Sequence, residues 1–457
     1  MRGRVPIEGV PHVPRLTAFR DASRMIQDPV AVFERYRKTL GPTFSFHFGG
    51  AKLAFVSTEP DIIEHVLKTA YTRYDKSDIQ IDRMGEFQGQ GLLNSHGAPW
   101  LRQRRLISRG FRRSVIDGLL PRQVETLETA LAPFDTAARR GPVDVHHAMI
   151  RLTLRLVGTS LFGSGLRDEE LEQVAHAIET IQQFIVRQIV RPYKIPWFRL
   201  SGQSRRHQDL RVAADDIVRR LIEVRRRSPG DGGDMLQMLL DTPYGDTGET
   251  MSPEQVLIEI LQLMVAGNET SSVALSWTFY LLSRHREHLA PMRAEIEEHL
   301  GDGPITLAGL HRLELTTRVL QETMRLYPSF WMIDRQAMVD DRIGDYAIPR
   351  GATVVPYIYG THRNPALWPD PERFDPARFT REASAGRHRF AHIPFGGGPR
   401  VCIGNNLAMM QMLLLVALIV RRYDIEPAHP APVPARPMMI LRPAGPIPLR
   451  FRPLERA

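Results

Sequence analysis

The chain holds one cysteine, Cys402, within FGGGPRVCIG at 395–404. Three glycines ahead of it leave a backbone able to bend and to expose its amides. The run that follows, IGNNLAMMQMLLLVALIVRRY, has helical composition. A cysteine at a helix start meets the positive end of the helix dipole, which favours thiolate over thiol. A thiolate is either a nucleophile or a metal ligand. The bland alternative is a buried cysteine acting as a small apolar residue.

Other spacings could serve the same chemistry. In AGNET, Ala266 and Thr270 are four apart and share a helix face, with Gly267, Asn268 and Glu269 between them. ETMR puts Glu322 and Arg325 at i,i+3, and HGAPWLRQRR puts Trp100 and Arg104 at i,i+4. Taken singly, each has an ordinary reading: a core helix with a back-bonded threonine, a surface ion pair, a solvated helix face.

Together they are specific. FxxGxRxCxG is matched in full by Phe395, Gly398, Arg400, Cys402 and Gly404. The sequence resembles the cytochrome P-450 family, the haem-thiolate monooxygenases, and the AGNET, ETMR and WPDPERFDPARF stretches follow in that family's arrangement. The resemblance covers Trp100 to Gly404 and implies haem b as cofactor, with Cys402 as the proximal iron ligand on a loop opened by Phe395 and closed by Gly404. A thiolate ligand pushes electron density onto iron and favours O–O cleavage. Arg400, Arg104, Trp100 and Arg335 are implied partners of the haem propionates. Ala266 and Gly267 line the oxygen site, the glycine letting a bound diatomic approach the backbone. Thr270 and Glu269 carry protons. Glu322, Arg325 and Arg373 form a buried triad that locks the cysteine loop. Two departures stand out: Asn268 precedes the acid, and Trp331 stands where proline is common. His96 and His392 flank these elements and read as ordinary surface or polar-core histidines.

The elements that must position these residues are mostly helices. Hydrophobic residues make up 43% of 457, ample for a large core. The expected fold is mainly α with small peripheral β-sheets, the cytochrome P-450 fold with a long central helix over the haem. One domain over 1–457 is expected, with β-rich edges at about 40–60 and 340–360, a helical core at about 95–330, and the haem loop and following helix at about 390–422. Ser252 as N-cap, Pro253 at N1 and Gln255 at N3 start the longest helix, which continues to Arg284. Hairpins are expected at 44–56, at 346–359 around Pro349-Arg350-Gly351, and at 438–451. Loops are expected at 225–234, at 300–306, and across the proline-rich 427–437.

One cysteine excludes a disulfide framework and a Cys-rich zinc site. The formal charge is +9, but the basic residues are dispersed, with no zinc finger or RNA-binding signature, so no nucleic-acid partner is expected. The N-terminus lacks an apolar signal core, and no stable membrane anchor is expected, which suggests a cytoplasmic location. The basic, aromatic segment 190–198 could touch a membrane surface. Substrate-wall candidates are 78–94, 184–190, Leu263, Ala266 and 329–333. Their apolar character points to a hydrophobic small molecule such as a terpenoid, fatty acyl chain or polyketide. The implied reaction inserts one oxygen atom of dioxygen, with electrons from a ferredoxin or flavodoxin-type donor and its reductase. The rival readings are a haem-thiolate peroxygenase or isomerase that does not use dioxygen, and a non-catalytic haem-binding protein.

Overall fold

The computed structural model describes residues 7–48, 52–77, 81, 84–163, 167–228 and 233–454. The expected wall residues 78–80 and 82–83, part of the 225–234 loop, and the turn of the first hairpin lie outside these. The elements that carry the argument are helices α1 (Gly97–Ile107), α2 (Val145–Phe162), α3 (Asp168–Val190), α4 (Gln203–Arg227), α5 (Pro253–Arg284), α6 (Glu314–Leu326) and α7 (Asn405–Arg422).

The chain forms two compact units. One comprises 1–80, 321–402 and 435–444, and the other 81–320, 403–434 and 445–457. The first is built on a five-stranded sheet of β1 (Thr43–Phe48), β2 (Lys52–Ser57), β3 (Tyr74–Asp75), β4 (Arg335–Ala337) and β5 (Thr353–Pro356), in the order β1-β2-β5-β4-β3. The first hairpin forms as expected, with Thr43 opposite Ser57. One face of this sheet carries a cluster that includes Leu53, Phe55, Ile63, Val354 and Ile393.

The two later hairpins do not form between the expected partners. Tyr346–Ile348 pairs with Asp341–Ile343, whereas β5 pairs parallel with β2 and antiparallel with β4. Gly351 makes the turn at φ +86°, but the strands on either side find partners elsewhere. Likewise Leu441–Pro443 pairs with Ala435–Pro437, and Pro448–Pro453 pairs with Tyr423–Pro427. Composition marks a strand; it does not name a neighbour distant in sequence.

The second unit is helical. In α5, the Ser252 side chain accepts from the Gln255 amide at 3.2 Å, and Pro253 occupies the first turn. The Gln255 side chain does not return to the N-cap amide; it donates to the Gln90 carbonyl and to Glu259. Thirty-two residues give a helix of roughly 48 Å. From Ser271 to Ser283 every side chain is buried, so this half of the helix runs through the core. Helix α7 is buried at most positions from Leu407 to Val420. It is the one described helix long and apolar enough to cross a membrane, yet most of that surface is occupied by protein.

Candidate active site

The cysteine loop is fixed by its backbone. The Cys402 amide donates to the Phe395 carbonyl at 2.9 Å, and the Val401 amide to the Gly398 carbonyl at 3.0 Å. Gly398 has φ +66°, and a Cβ there would lie 1.9 Å from the Leu67 carbonyl oxygen. No side chain fits, so the loop rests directly on the π-helical turn His65–Thr69. Gly404 serves as the N-cap of α7, so the helix begins at Asn405, just beyond Cys402. Cys402 itself is exposed.

Two guanidinium groups, of Arg400 and Arg335, lie near this loop and act on each other electrostatically. Arg400 donates to Asp75 at 2.8 Å. Asp75 is on β3, opposite Gln336 and hence beside Arg335 on β4. Arg335 is only 9% exposed. Among the described residues its guanidinium makes one hydrogen bond, to the Asp334 carbonyl at 2.8 Å. Burial, reinforced by the charge of Arg400, pushes its pKa down to about 10 despite the opposing pull of Asp334 and Asp75. A buried guanidinium without an ion pair is costly. A propionate would supply the ion-pair partner that the Arg335 guanidinium lacks among the described residues.

The ExxR pair is fully buried. Arg325 donates to Glu322 through two nitrogens, at 2.6 and 2.8 Å. Its remaining donors reach the carbonyls of His362, Pro371 and Arg373 at 2.8, 2.7 and 3.2 Å. Glu322 also accepts from the Asp375 amide at 2.9 Å. Here the expected triad needs correction. The Arg373 side chain is exposed, and that residue contributes only its carbonyl. The second cation is Arg378, whose Nε lies 3.4 Å from Glu322 with its side chain 10% exposed. The pair satisfies its own charges and ties the segment 371–378 to α6. His392, near the loop, donates from Nε2 to the Gln321 carbonyl at 3.2 Å.

On α5 the burial pattern changes at the AGNET stretch, where Val265–Thr270 are half-buried although the turns that follow are closed. Thr270 Oγ1 donates to the Ala266 carbonyl at 2.7 Å. Asn268 faces α2, accepting from Thr153 Oγ1 at 2.6 Å. Gly267 faces α2 as well, since a Cβ there would lie 3.0 Å from Val157 Cγ2. The glycine therefore admits close packing of α5 on α2. On α1, Trp100 is buried in the core cluster of the second unit and Arg104 is half-buried one turn later.

Upstream on the same helix lies a partly open recess, lined on α5 by Leu257, Ile258, Leu261, Gln262 and Val265. Phe87 and Gln88, within 78–94, close one side. On α3 the lining is Ile178 and Ile181, not 184–190; Phe184 instead stacks on His207 at 3.9 Å within a buried aromatic group. Helix α4 contributes Arg211, Ala214 and Asp215, which the sequence reading missed. Leu263 packs against the core cluster, and neither it nor Ala266 lines this recess. Trp331 is not a wall residue: it is buried against Phe33 and Tyr357, and its indole donates to the Met438 carbonyl at 2.8 Å.

A family model for cytochrome P-450 matches residues 11–451. The chain belongs to the cytochrome P-450 family. It is 31% identical over 400 residues to cyclooctatin synthase of Streptomyces melanosporofaciens, covering 87% of this chain and 86% of that protein. It is 30% identical to cyclooctat-9-en-7-ol 5-monooxygenase of the same organism, covering 83% and 81%. The heme domain of cytochrome P-450DA has the same fold, with a TM-score of 0.85, 24% identity and 99% of both chains covered.

Membership makes the chain a cytochrome P-450 enzyme of the monooxygenase class, and the family implies a haem-thiolate cofactor. The residues fit that group. The sole cysteine is exposed on a backbone-bonded loop, and the nearby buried Arg335 makes no ion pair among the described residues. Two features escaped the sequence reading. Arg378 was hidden because Arg373 and Arg378 stand in near-identical contexts, ERF and ARF. Asp215 was hidden because an Arg211–Asp215 pair at i,i+4 looks like any solvated helix pair.

Proposed function

We propose that this cytochrome P-450 binds haem b through the Cys402 thiolate and oxygenates a hydrophobic small molecule. The observation that carries the reading is the exposed Cys402 on its glycine-fixed loop, with Arg400 and the buried Arg335 nearby, the latter in no ion pair among the described residues. When bound, the haem supplies dioxygen activation and oxygen transfer. The chain's own residues do the rest. Cys402 offers the thiolate, and the amides of its loop tune the sulfur. Arg335 holds one propionate; Arg400, Arg104 and Trp100 are the further candidates. Phe395 and Gly404 shape the loop, and Glu322, Arg325 and Arg378 hold the segment leading to it.

Thr270 is the residue we assign to proton handling. Its hydroxyl is parked on the Ala266 carbonyl, where it can accept a bond from a second donor while keeping its orientation. Glu269, next to it on the half-buried stretch, relays protons from solvent. The recess along α5 takes an apolar skeleton of terpenoid, fatty acyl or polyketide type and excludes water from it. The relative named as a cyclooctat-9-en-7-ol monooxygenase supports a terpenoid-like skeleton. Electrons come from a ferredoxin or flavodoxin-type partner; the +9 charge favours an acidic one.

The test is the carbon monoxide difference spectrum of the reduced, haem-loaded protein. The thiolate reading expects a strongly red-shifted carbonyl band that Cys402→Ser abolishes. A band unchanged in that variant would remove Cys402 from the iron. Turnover with a surrogate redox pair and dioxygen, and not with peroxide alone, separates a monooxygenase from a peroxygenase.

A further inference from the structure

Among the described residues, two acceptor oxygens in the α5 recess have no hydrogen-bond partner. Asp215 is 8% exposed, and its Oδ1 is buried without a donor. Its other oxygen, Oδ2, lies 3.4 Å from Arg211 Nε. Gln88 Oε1, on the same recess, is likewise buried and unsatisfied. The third polar lining residue that could compete, Gln262, is already committed. Its oxygen accepts from the Leu93 amide at 2.8 Å and its nitrogen donates to the carbonyls of Gln88 and Gly89. Most of the remaining lining is aliphatic or aromatic. An unmet buried acceptor is costly, more so when charged, so two on one apolar recess mark where a donor belongs.

Resting on the oxygenase reading above, we propose that the substrate carries a hydroxyl on its apolar skeleton and that Asp215 Oδ1, aided by Gln88 Oε1, accepts that hydroxyl's hydrogen bond. Asp215 is then a specificity-determining residue. A hydroxyl suits the site better than an ammonium group. Arg211 already faces the carboxylate, and Arg219, one turn on, pairs with Glu254 at 3.1 Å, so a further cation would meet like charge. The position also sets direction. Because Arg219 meets Glu254 in the first turn of α5, Asp215 belongs to the end of the recess nearer that turn. Thr270 lies further along the helix, five residues past Val265, or roughly 7.5 Å. A substrate anchored by its hydroxyl at Asp215 therefore turns the far end of its skeleton toward Thr270, and the oxidised carbon lies away from the existing hydroxyl.

The test uses the haem-loaded protein and a panel of C10–C20 isoprenoid alcohols, each beside its own methyl ether. The ether keeps the shape and the acceptor but cannot donate. Calorimetric titration of the wild type is expected to favour the alcohol by about tenfold or more. Asp215→Leu should bring that ratio close to one, and Asp215→Asn, which keeps an acceptor and the size, should retain part of it. Gln88→Leu should reduce it less than Asp215→Leu. Circular dichroism and the Soret band verify folding; should Asp215→Leu not fold, Asp215→Asn with an undiminished ratio still overturns the proposal. Equal binding of alcohol and ether by the wild type overturns it as well. Binding is read apart from turnover, so a wild type that turns over with no alcohol preference sinks this proposal, whereas alcohol-selective binding without dioxygen-dependent turnover sinks the oxygenase reading instead.

Discussion

Arg373 and Arg378 are five residues apart in PERFDPARF, each followed by phenylalanine. Composition gives no reason to choose between them, and burial does. Arg378 is packed against the wholly buried Glu322, while Arg373 points to solvent. Removing one partner from a buried charge group leaves the others uncompensated. Arg378→Ala is therefore expected to lower the unfolding free energy by about 3 kcal/mol, and Arg373→Ala to change it by less than about 0.5 kcal/mol. Denaturant melts of the two variants, side by side, decide the assignment. Cys402 was legible because it is unique and its neighbours are fixed by spacing. Asp215 was not, since nothing in HQDLRVAADD says which face of α4 meets a cavity. For Thr270, the Thr270→Ala variant should release hydrogen peroxide at the expense of product, and Thr270→Ser should restore coupling. Tight coupling in the alanine variant would remove the hydroxyl from the proton path.

Helix α5 shows what an element adds. Its start was readable from Ser252 and Pro253, and its length from a helical pattern that continues to about Arg284. Which of its faces meets which helix was not readable. Gly267 is the informative case, for its vacant Cβ position faces Val157 on α2. Alanine gains up to about 1 kcal/mol over glycine inside a helix, but overpacking costs about 1–3 kcal/mol. Gly267→Ala should therefore be neutral to destabilising in the wild type. In a Val157→Ala background the same change should become favourable, with a coupling of about 1 kcal/mol in a double-mutant cycle. Additive effects would mean that α2 gives way without cost. The small strands were legible as strands and illegible as pairs. β5 finds β2 almost three hundred residues away, and only the assembled sheet carries that information.

For the molecule as a whole, acid sensitivity follows from buried groups. Burial, then the charges of Arg387 and Arg325, lowers the His392 pKa to about 3 against the pull of its bond to Gln321. Burial and the neighbouring His392, Arg325 and Arg363 lower His362 well below its usual value. Both are neutral in the fold, whereas the unfolded chain takes up protons near pH 6.5. The unfolded state thus binds more protons in this range, and stability must fall as pH drops from about 6.5 toward 3. Asp341 adds a second, lower window. Burial raises its pKa, but hydrogen bonds from His65, Tyr74 and Arg73 prevail and hold it at about 2. Its contribution is complete above the ordinary carboxylate pKa near 4 and is lost as pH falls through about 2. Unfolding free energies at pH 7.5, 5.5 and 4.5 should decline steadily, and His392→Gln should flatten the decline; a pH-independent wild type would contradict the assignment. Exchange with an acidic redox partner should also slow as ionic strength rises.

The contact of Gly398 with the Leu67 carbonyl bears on protein engineering. Two stretches more than three hundred residues apart in sequence behave as a single casting, because backbone touches backbone with no side chain to absorb a misfit. Transplanting 395–404 into a foreign scaffold should fail to present the sulfur unless 65–69 travels with it.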